Sequence, residues 1–182
     1  MATTESTWTF ERIGGFDRER LLDLWRTLPA PEPTAMEGEF GPWVPPYFAE
    51  AFRGFLTSQG QDDWYGKAYT RGEGHNIWQI GPDVVRSLRF AWDIRPSGLD
   101  GGPALVMDYP AFDNPAGAWG LIDEVRELGP GLLLGIYSTD TPAEGFTPVA
   151  DPATGRTRHE VFGLQGPTGP WVGVDDLSAE VR

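Results

Sequence analysis

The side chains best placed for chemistry in this sequence are three carboxylate or guanidinium groups and one imidazole. Asp108 ends the apolar run Ala104-Leu105-Val106-Met107 and precedes Tyr109-Pro110. A carboxylate buried among such neighbours holds its proton and becomes an acid at neutral pH. At a strand end it would instead cap the following loop. Glu124 and Arg126 stand two apart, so on a strand they share a face. If that face lines a cavity, Arg126 could hold a carbonyl or enolate oxygen while Glu124 orients it. On an outer face the same pair is a solvated salt bridge. His75 lies in Gly72-Glu73-Gly74-His75-Asn76. In a loop at a barrel mouth it could act as general acid or base, or ligate haem; the plainer reading is an exposed turn residue. His159, in Thr157-Arg158-His159-Glu160, opens a strand among charges and reads as structural.

Composition removes whole classes of mechanism. There is no Cys, which excludes thiol nucleophiles, disulfides, Cys-ligated zinc and iron–sulfur clusters. Two His without a spaced carboxylate set do not make a metal centre, and none is expected. Gly72-Glu73-Gly74 lacks the third glycine of a dinucleotide loop, and Gly66-Lys67 is followed by Ala68 rather than Ser or Thr. There is no Gly-x-Ser-x-Gly elbow either. No cofactor is therefore expected. A net charge of -13, from 14 Lys+Arg against 27 Asp+Glu, disfavours nucleic acid and anionic membranes as partners. No run approaches the roughly 18 apolar residues of a membrane span. Residues 1–10 are polar and acidic, without the apolar core of a signal peptide, so a cytoplasmic chain is expected.

The elements that must position these groups follow from periodicity. Asp17 can cap a helix in which Leu21, Leu24, Trp25 and Leu28 recur at helical spacing until Pro29. Residues 29–34 read as an extended connector. A short, bulged strand spans 37–44, interrupted by Gly41 and Pro42. Residues 46–58 carry Phe48, Ala51, Phe52 and Phe55 at the spacing of a second helix. From residue 64 the period changes to two. Strands are predicted at 64–70, 76–80, 84–94, 104–109, 121–128, 132–138, 145–150, 158–164 and 171–174, separated by turn signals. Strands at such spacing without intervening helices argue for an antiparallel sandwich or barrel.

Two features favour a barrel. On residues 121–128 both faces mix charged and apolar side chains. That suits a barrel with a partly polar interior, although an edge strand with solvated charges reads the same way. The second feature is aromatic wealth: eight Trp, ten Phe and five Tyr. Trp64, Tyr69, Trp78, Phe90, Trp92, Tyr109, Trp119 and Tyr137 fall on or beside predicted strands. Each alone is explained by core packing; together they suit an aromatic-lined pocket for a flat or apolar ligand with a few polar handles.

Several of these runs resemble bacterial calycin-type barrel proteins. The similar stretches are Trp64-Tyr65-Gly66-Lys67-Ala68-Tyr69, Ala104 to Pro110, Ile122-Asp123-Glu124-Val125-Arg126-Glu127-Leu128 and the following Gly129-Pro130-Gly131-Leu132-Leu133-Leu134-Gly135. Gly41-Pro42-Trp43, after an N-terminal helix, is similar to the Gly-x-Trp signature of lipocalins. The resemblance covers about residues 37–138. It departs from lipocalins in Pro45 and Pro46, which follow the Trp at once, and in the lack of an identifiable Arg to stack on it. It implies a barrel whose Trp plugs the closed end and whose members bind small hydrophobic molecules, some with cyclase or isomerase activity.

The expected fold is mainly β: a single antiparallel calycin-like β-barrel over residues 1–182. Residues 1–15 form an arm or lid, 16–58 a region with two helices, and 64–174 the barrel strands. The expected function is binding of a hydrophobic small molecule and its cofactor-independent cyclisation or isomerisation, as in natural-product biosynthesis. Asp108, Glu124, Arg126 and His75 are its candidate catalytic residues. A non-catalytic carrier or sensor is the alternative, and a haem-binding barrel rests on His75 alone. Oligomeric state stays open, with a homodimer as one option.

Overall fold

The structure is a computed structural model and describes residues 8–140 and 155–174. Eight strands form one closed barrel in which each strand pairs with its sequence neighbours. They are β1 (Gly38–Trp43), β2 (Asp63–Thr70), β3 (Glu73–Ile80), β4 (Asp83–Pro96), β5 (Pro103–Asp108), β6 (Ile122–Gly129), β7 (Leu132–Ser138) and β8 (Glu160–Gly169). All pairings are antiparallel, and β1 closes the barrel against β8. A closed sheet has no edge strand, so the edge reading of residues 121–128 is overturned. The predicted strand at 145–150 lies outside the described residues. Residues 171–174 are not strand.

Four helices attach to the barrel: α1 (Phe10–Ile13), α2 (Arg18–Arg26), α3 (Ala49–Ser58) and α4 (Pro115–Ala118). Asp17 accepts the Arg20 N–H and caps α2 as its sequence predicts; such a cap contributes about 1 kcal/mol. Helix α2 buries Leu21, Leu22, Leu24 and Trp25. They pack with Ala104, Val106, Leu128, Leu134, Ile136 and Val161 in a core on the outside of the wall. The alternate residues of the same strands, Leu105, Met107, Val125, Leu133, Phe162 and Leu164, join Trp64, Tyr69, Trp78 and Phe90 in a second core inside the barrel. The wall from β5 to β8 is therefore covered on both sides. That explains why neither face of β6 reads as a solvent face.

Residues 8–15 also pack on the outer wall. Ile13 is fully buried there, Trp8 meets Phe16 edge to face, and Phe10 stacks on Trp43 with ring centroids 4.7 Å apart. The described part of the N-terminal arm thus belongs to the outer core rather than to a lid. Trp43 sits in that core too, not as a plug of the barrel interior. Helix α3 lies over the barrel interior, where Leu56, Phe52 and Phe55 meet the inner core.

Two irregularities decide which side chains enter the barrel. The β2–β3 register shifts between Trp64 and Gly66, leaving Tyr65 as an extra residue. Gly66 takes φ 109°, and a Cβ there would lie 1.9 Å from the Phe40 carbonyl oxygen. Only glycine fits this bulge. After it the alternation is inverted, so Trp64, Lys67 and Tyr69 all face inward. The second irregularity is in β4, which runs 14 residues against six in β5. Its first half pairs with β3, and its pairing to β5 begins only at Ala91–Asp108. Within the half that is not paired to β5, where the β3–β4 register also shifts, Leu88 takes φ 57°. The segment carrying α4 lies beside it, where Asn114 Nδ2 donates to the Arg89 carbonyl at 2.9 Å.

Candidate functional site

The barrel holds a cavity of about 290 Å³. Strands β2 and β3 supply Trp64 and Trp78, which face each other directly across the ladder. Phe52 and Phe55 of α3, Leu88, Trp119, Leu121, Tyr137 and Phe162 complete a largely apolar wall. Phe52 meets Trp64 edge to face at 5.8 Å, as does Phe162.

Against this wall a cluster of four polar side chains stands together: Lys67 from β2, Asn76 from β3, Tyr109 from the end of β5 and Asp123 from β6; Gln59, Gln61, Thr139 and Thr157 also border the cavity. The first, second and fourth are 3% exposed, and Tyr109 is 0% exposed. Lys67 pairs directly with Asn76 across β2–β3, which fixes their neighbourhood. Lys67 Nζ lies 2.7 Å from Asp123 Oδ2 and donates to Asn76 Oδ1 at 2.8 Å and to Tyr109 Oη at 2.6 Å. Tyr109 donates to Asp123 Oδ2 at 3.1 Å and accepts from Asn76 Nδ2 at 2.8 Å. Trp64 Nε1 donates to Asn76 Oδ1 at 3.3 Å. The ammonium also lies 5.3–5.5 Å from the ring centroids of Trp64, Phe90, Tyr109 and Phe162, within cation–π range.

The electrostatics of this quartet are those of a desolvated ion pair. Burial pushes Lys67 below the usual lysine range, while the adjacent Asp123 pulls it back. Burial, and then the charge of Asp123, drives the Tyr109 hydroxyl well above its ordinary value, so it stays a phenol. Burial raises Tyr137 in the same way. One cation and one anion cancel, so the polar floor of the cavity is net neutral. It offers an N–H and an O–H donor beside a carboxylate acceptor, the parts of a proton relay.

The structure distributes the sequence-predicted residues widely. Trp64, Trp78, Tyr109, Trp119 and Tyr137 line the cavity. Tyr69 and Phe90 are fully buried in the inner core, and Phe90 packs against Tyr109 at 5.2 Å. Trp92 is half-buried, its indole N–H donating to the carbonyls of Thr70 and Glu73. Asp108 lies off the cavity, facing Arg95 at 3.3 Å. Arg126 and Glu124 share a face of β6, as expected, but it is the outer one. Arg126 is held by both oxygens of Asp100, by the carbonyls of Pro103, Trp25 and Arg26, and by the Trp25 ring. Glu124 accepts from the Gly98 N–H, and burial raises its carboxyl above the ordinary range. His75 is buried rather than exposed. Its Nε2 lies 2.7 Å from the Val172 carbonyl, its Nδ1 lies 3.2 Å from that of Asn76, and its ring packs on Trp171. Both ring nitrogens face backbone carbonyls and His75 is not part of the cavity lining, so it presents no ligand for haem there. No metal-holding group of His, Cys, Asp or Glu occurs among the described residues.

Sequence reasoning missed Lys67, Asn76 and Asp123. One signal for Lys67 was present: it is the only lysine, and every other member of the 14 Lys+Arg is arginine. No helix among the described residues is long and apolar enough to cross a membrane. No protein-family model matches the chain, and no curated protein matches it. Among solved structures, a crystal structure of a protein from Thermomonospora curvata is similar, with a TM-score of 0.54 and 18% identity over 86% of this chain and 92% of that one. At that identity the likeness shows a shared fold: a closed antiparallel barrel of eight strands, whose membership in the calycins no comparison names.

Proposed function

We propose that the barrel binds a neutral, largely apolar small molecule, with one carbonyl or hydroxyl directed at the Lys67–Asn76–Tyr109–Asp123 quartet, and promotes its isomerisation or cyclisation by acid–base chemistry. The observation that carries this reading is a buried, net-neutral polar quartet in a largely apolar, aromatic-rich cavity. A carboxylate ligand would add an uncompensated charge beside Asp123, and burying such a charge is costly. A neutral oxygen can accept from Lys67 or Tyr109 in exchange for one of their bonds within the quartet, without that cost. The aromatic wall supplies apolar contact and holds the chain in a folded conformer, which lowers the entropic part of a cyclisation barrier. Lys67 or Tyr109 then polarises the oxygen, and Asp123 balances the charge that develops.

Titration of 2-nonanone, nonanol and nonanoate, read by tryptophan fluorescence, tests the binding step. The ketone and the alcohol are expected to bind, and nonanoate about tenfold or more weaker, a difference of roughly 1.4 kcal/mol. Equal or tighter binding of nonanoate refutes the neutral-head reading, and no binding by any probe refutes the pocket. Mass spectrometry of molecules that co-purify, before and after incubation with protein, tests turnover. Return of unchanged ligand would make the barrel a carrier.

A further inference from the structure

We infer that Lys67 is a covalent site: its amine condenses with the aldehyde or ketone of an apolar ligand to form an imine inside the barrel. This rests on the binding reading above and adds a bond to it. Three observations carry the inference. First, Lys67 is the sole lysine of the chain, and it lies in the cavity rather than on the surface. Arginine serves at every other cationic position, so solubility does not account for this lysine. Arginine cannot form an imine under these conditions, whereas a desolvated lysine amine is a nucleophile of choice for carbonyls. Second, a buried Lys–Asp pair is a poor device for stability, since apolar residues of similar volume usually do as well. Third, the partners of Nζ are the ones an imine needs. Asp123 at 2.7 Å can take the ammonium proton, and Tyr109 at 2.6 Å can deliver one to oxygen.

The step balances within these groups. A proton passes from Nζ to Asp123. The freed lone pair attacks the carbonyl carbon, forming the N–C bond, and the carbonyl π pair moves to oxygen. Tyr109 protonates that oxygen and is reprotonated by Asp123. Asp123 then takes a second proton from nitrogen and returns it, through Tyr109, to the departing hydroxyl. The ammonium and the carbonyl become a protonated imine and one water, and Asp123 ends as the carboxylate facing the new cation. Such an iminium withdraws electrons from the adjacent carbons, which supports isomerisation of a neighbouring double bond.

Reductive trapping tests this directly, because apart from the α-amino group Lys67 is the only primary amine. The protein is incubated with nonanal and sodium cyanoborohydride at neutral pH and mapped by peptide mass spectrometry. The expected result is one alkyl adduct on Lys67, suppressed by excess nonanol and absent in Lys67→Arg. Asp123→Asn is expected to slow trapping about a hundredfold, the usual worth of a positioned acid–base group. Nonanol competition on the unaltered protein keeps the test valid if a variant does not fold. If nonanol quenches tryptophan fluorescence but nonanal leaves Lys67 unmodified, the imine is refuted and the pocket reading stands. If nonanol does not bind, the pocket reading fails. An adduct on Lys67 that nonanol does not suppress refutes the imine as a ligand-site reaction.

Discussion

Replacing Lys67 with Met gives the sharpest test of the buried pair. Methionine keeps most of the apolar stem and removes the ammonium. Asp123 is then left 3% exposed without its cation, although Tyr109 still donates to it. Breaking a buried pair from one side costs about 3–5 kcal/mol. For a chain of this size that is a fall in Tm of roughly 6–20 °C. The double variant Lys67→Met/Asp123→Leu removes both charges. The Asn76 amide can then turn toward Tyr109, because Lys67 no longer claims its oxygen. Such replacements range from neutral to about 1–4 kcal/mol stabilising, so the double variant should match or exceed the wild type. Urea unfolding followed by tryptophan fluorescence measures all three proteins. The pH dependence adds a second sign. Burial lowers Lys67 in the folded state from its ordinary 10.5, so the unfolded chain binds the proton more tightly. Stability from this group is present above 10.5 and is lost as pH falls through the lowered folded value. Toward pH 10.5 the gap between wild type and Lys67→Met should therefore widen; the raised tyrosines titrate in both proteins and cancel. A gap below about 1 kcal/mol, the worth of an exposed pair, or one that narrows as pH rises, would refute the buried geometry.

Other substitutions probe the frame around the site. Gly66→Ala puts a Cβ against the Phe40 carbonyl at φ 109° and should cost more than about 2 kcal/mol or prevent folding; a wild-type melting curve would dismiss the bulge. Glu124→Gln tests the outer face of β6. Its raised carboxyl contributes stability below 4.5 that is lost as pH rises through the folded value, so urea midpoints should fall less for the variant than for the wild type between acid and neutral pH. Trp64→Phe should cost about 1 kcal/mol more than Trp78→Phe. The first loses the bond to Asn76, whereas Trp78 Nε1 has no partner among the described residues. Equal costs in thermal melts would count against the Asn76 contact.

Much of this architecture was legible in alternation and capping. The strands from 64 to 138 fall within a few residues of their predicted places, and Asp17 caps α2 where Leu21, Leu24 and Trp25 pointed. Five of the eight expected aromatic lining residues reach the cavity. The polar floor was not legible, for two physical reasons. Strict alternation from Trp64 sends Lys67 outward, and only the extra residue at Tyr65 turns it in; a one-residue bulge leaves little trace in composition. On β6 both faces are buried, so hydrophobicity could not distinguish inside from outside. Glu124 and Arg126 belong to the outer face under α2 and the loop of Asp100, while Asp123 belongs to the inner one. Asn76 gives no signal of its own, since its role comes from standing opposite Lys67.

The overhang of β4 bears on traffic. Along most of the wall, a molecule passing between strands must unzip a ladder of backbone bonds. Beside the first half of β4 there is no ladder to β5. That gap is stopped by the segment of α4, through the Asn114 bond to the Arg89 carbonyl and the stacking of the Arg89 guanidinium over Phe112 at 4.1 Å. Pro115, Ala116 and Trp119, on the inner side of this stopper, are themselves cavity wall. Displacing that short segment would break these contacts and the bond from the Asp140 N–H to the Trp119 carbonyl, with every strand pairing left in place.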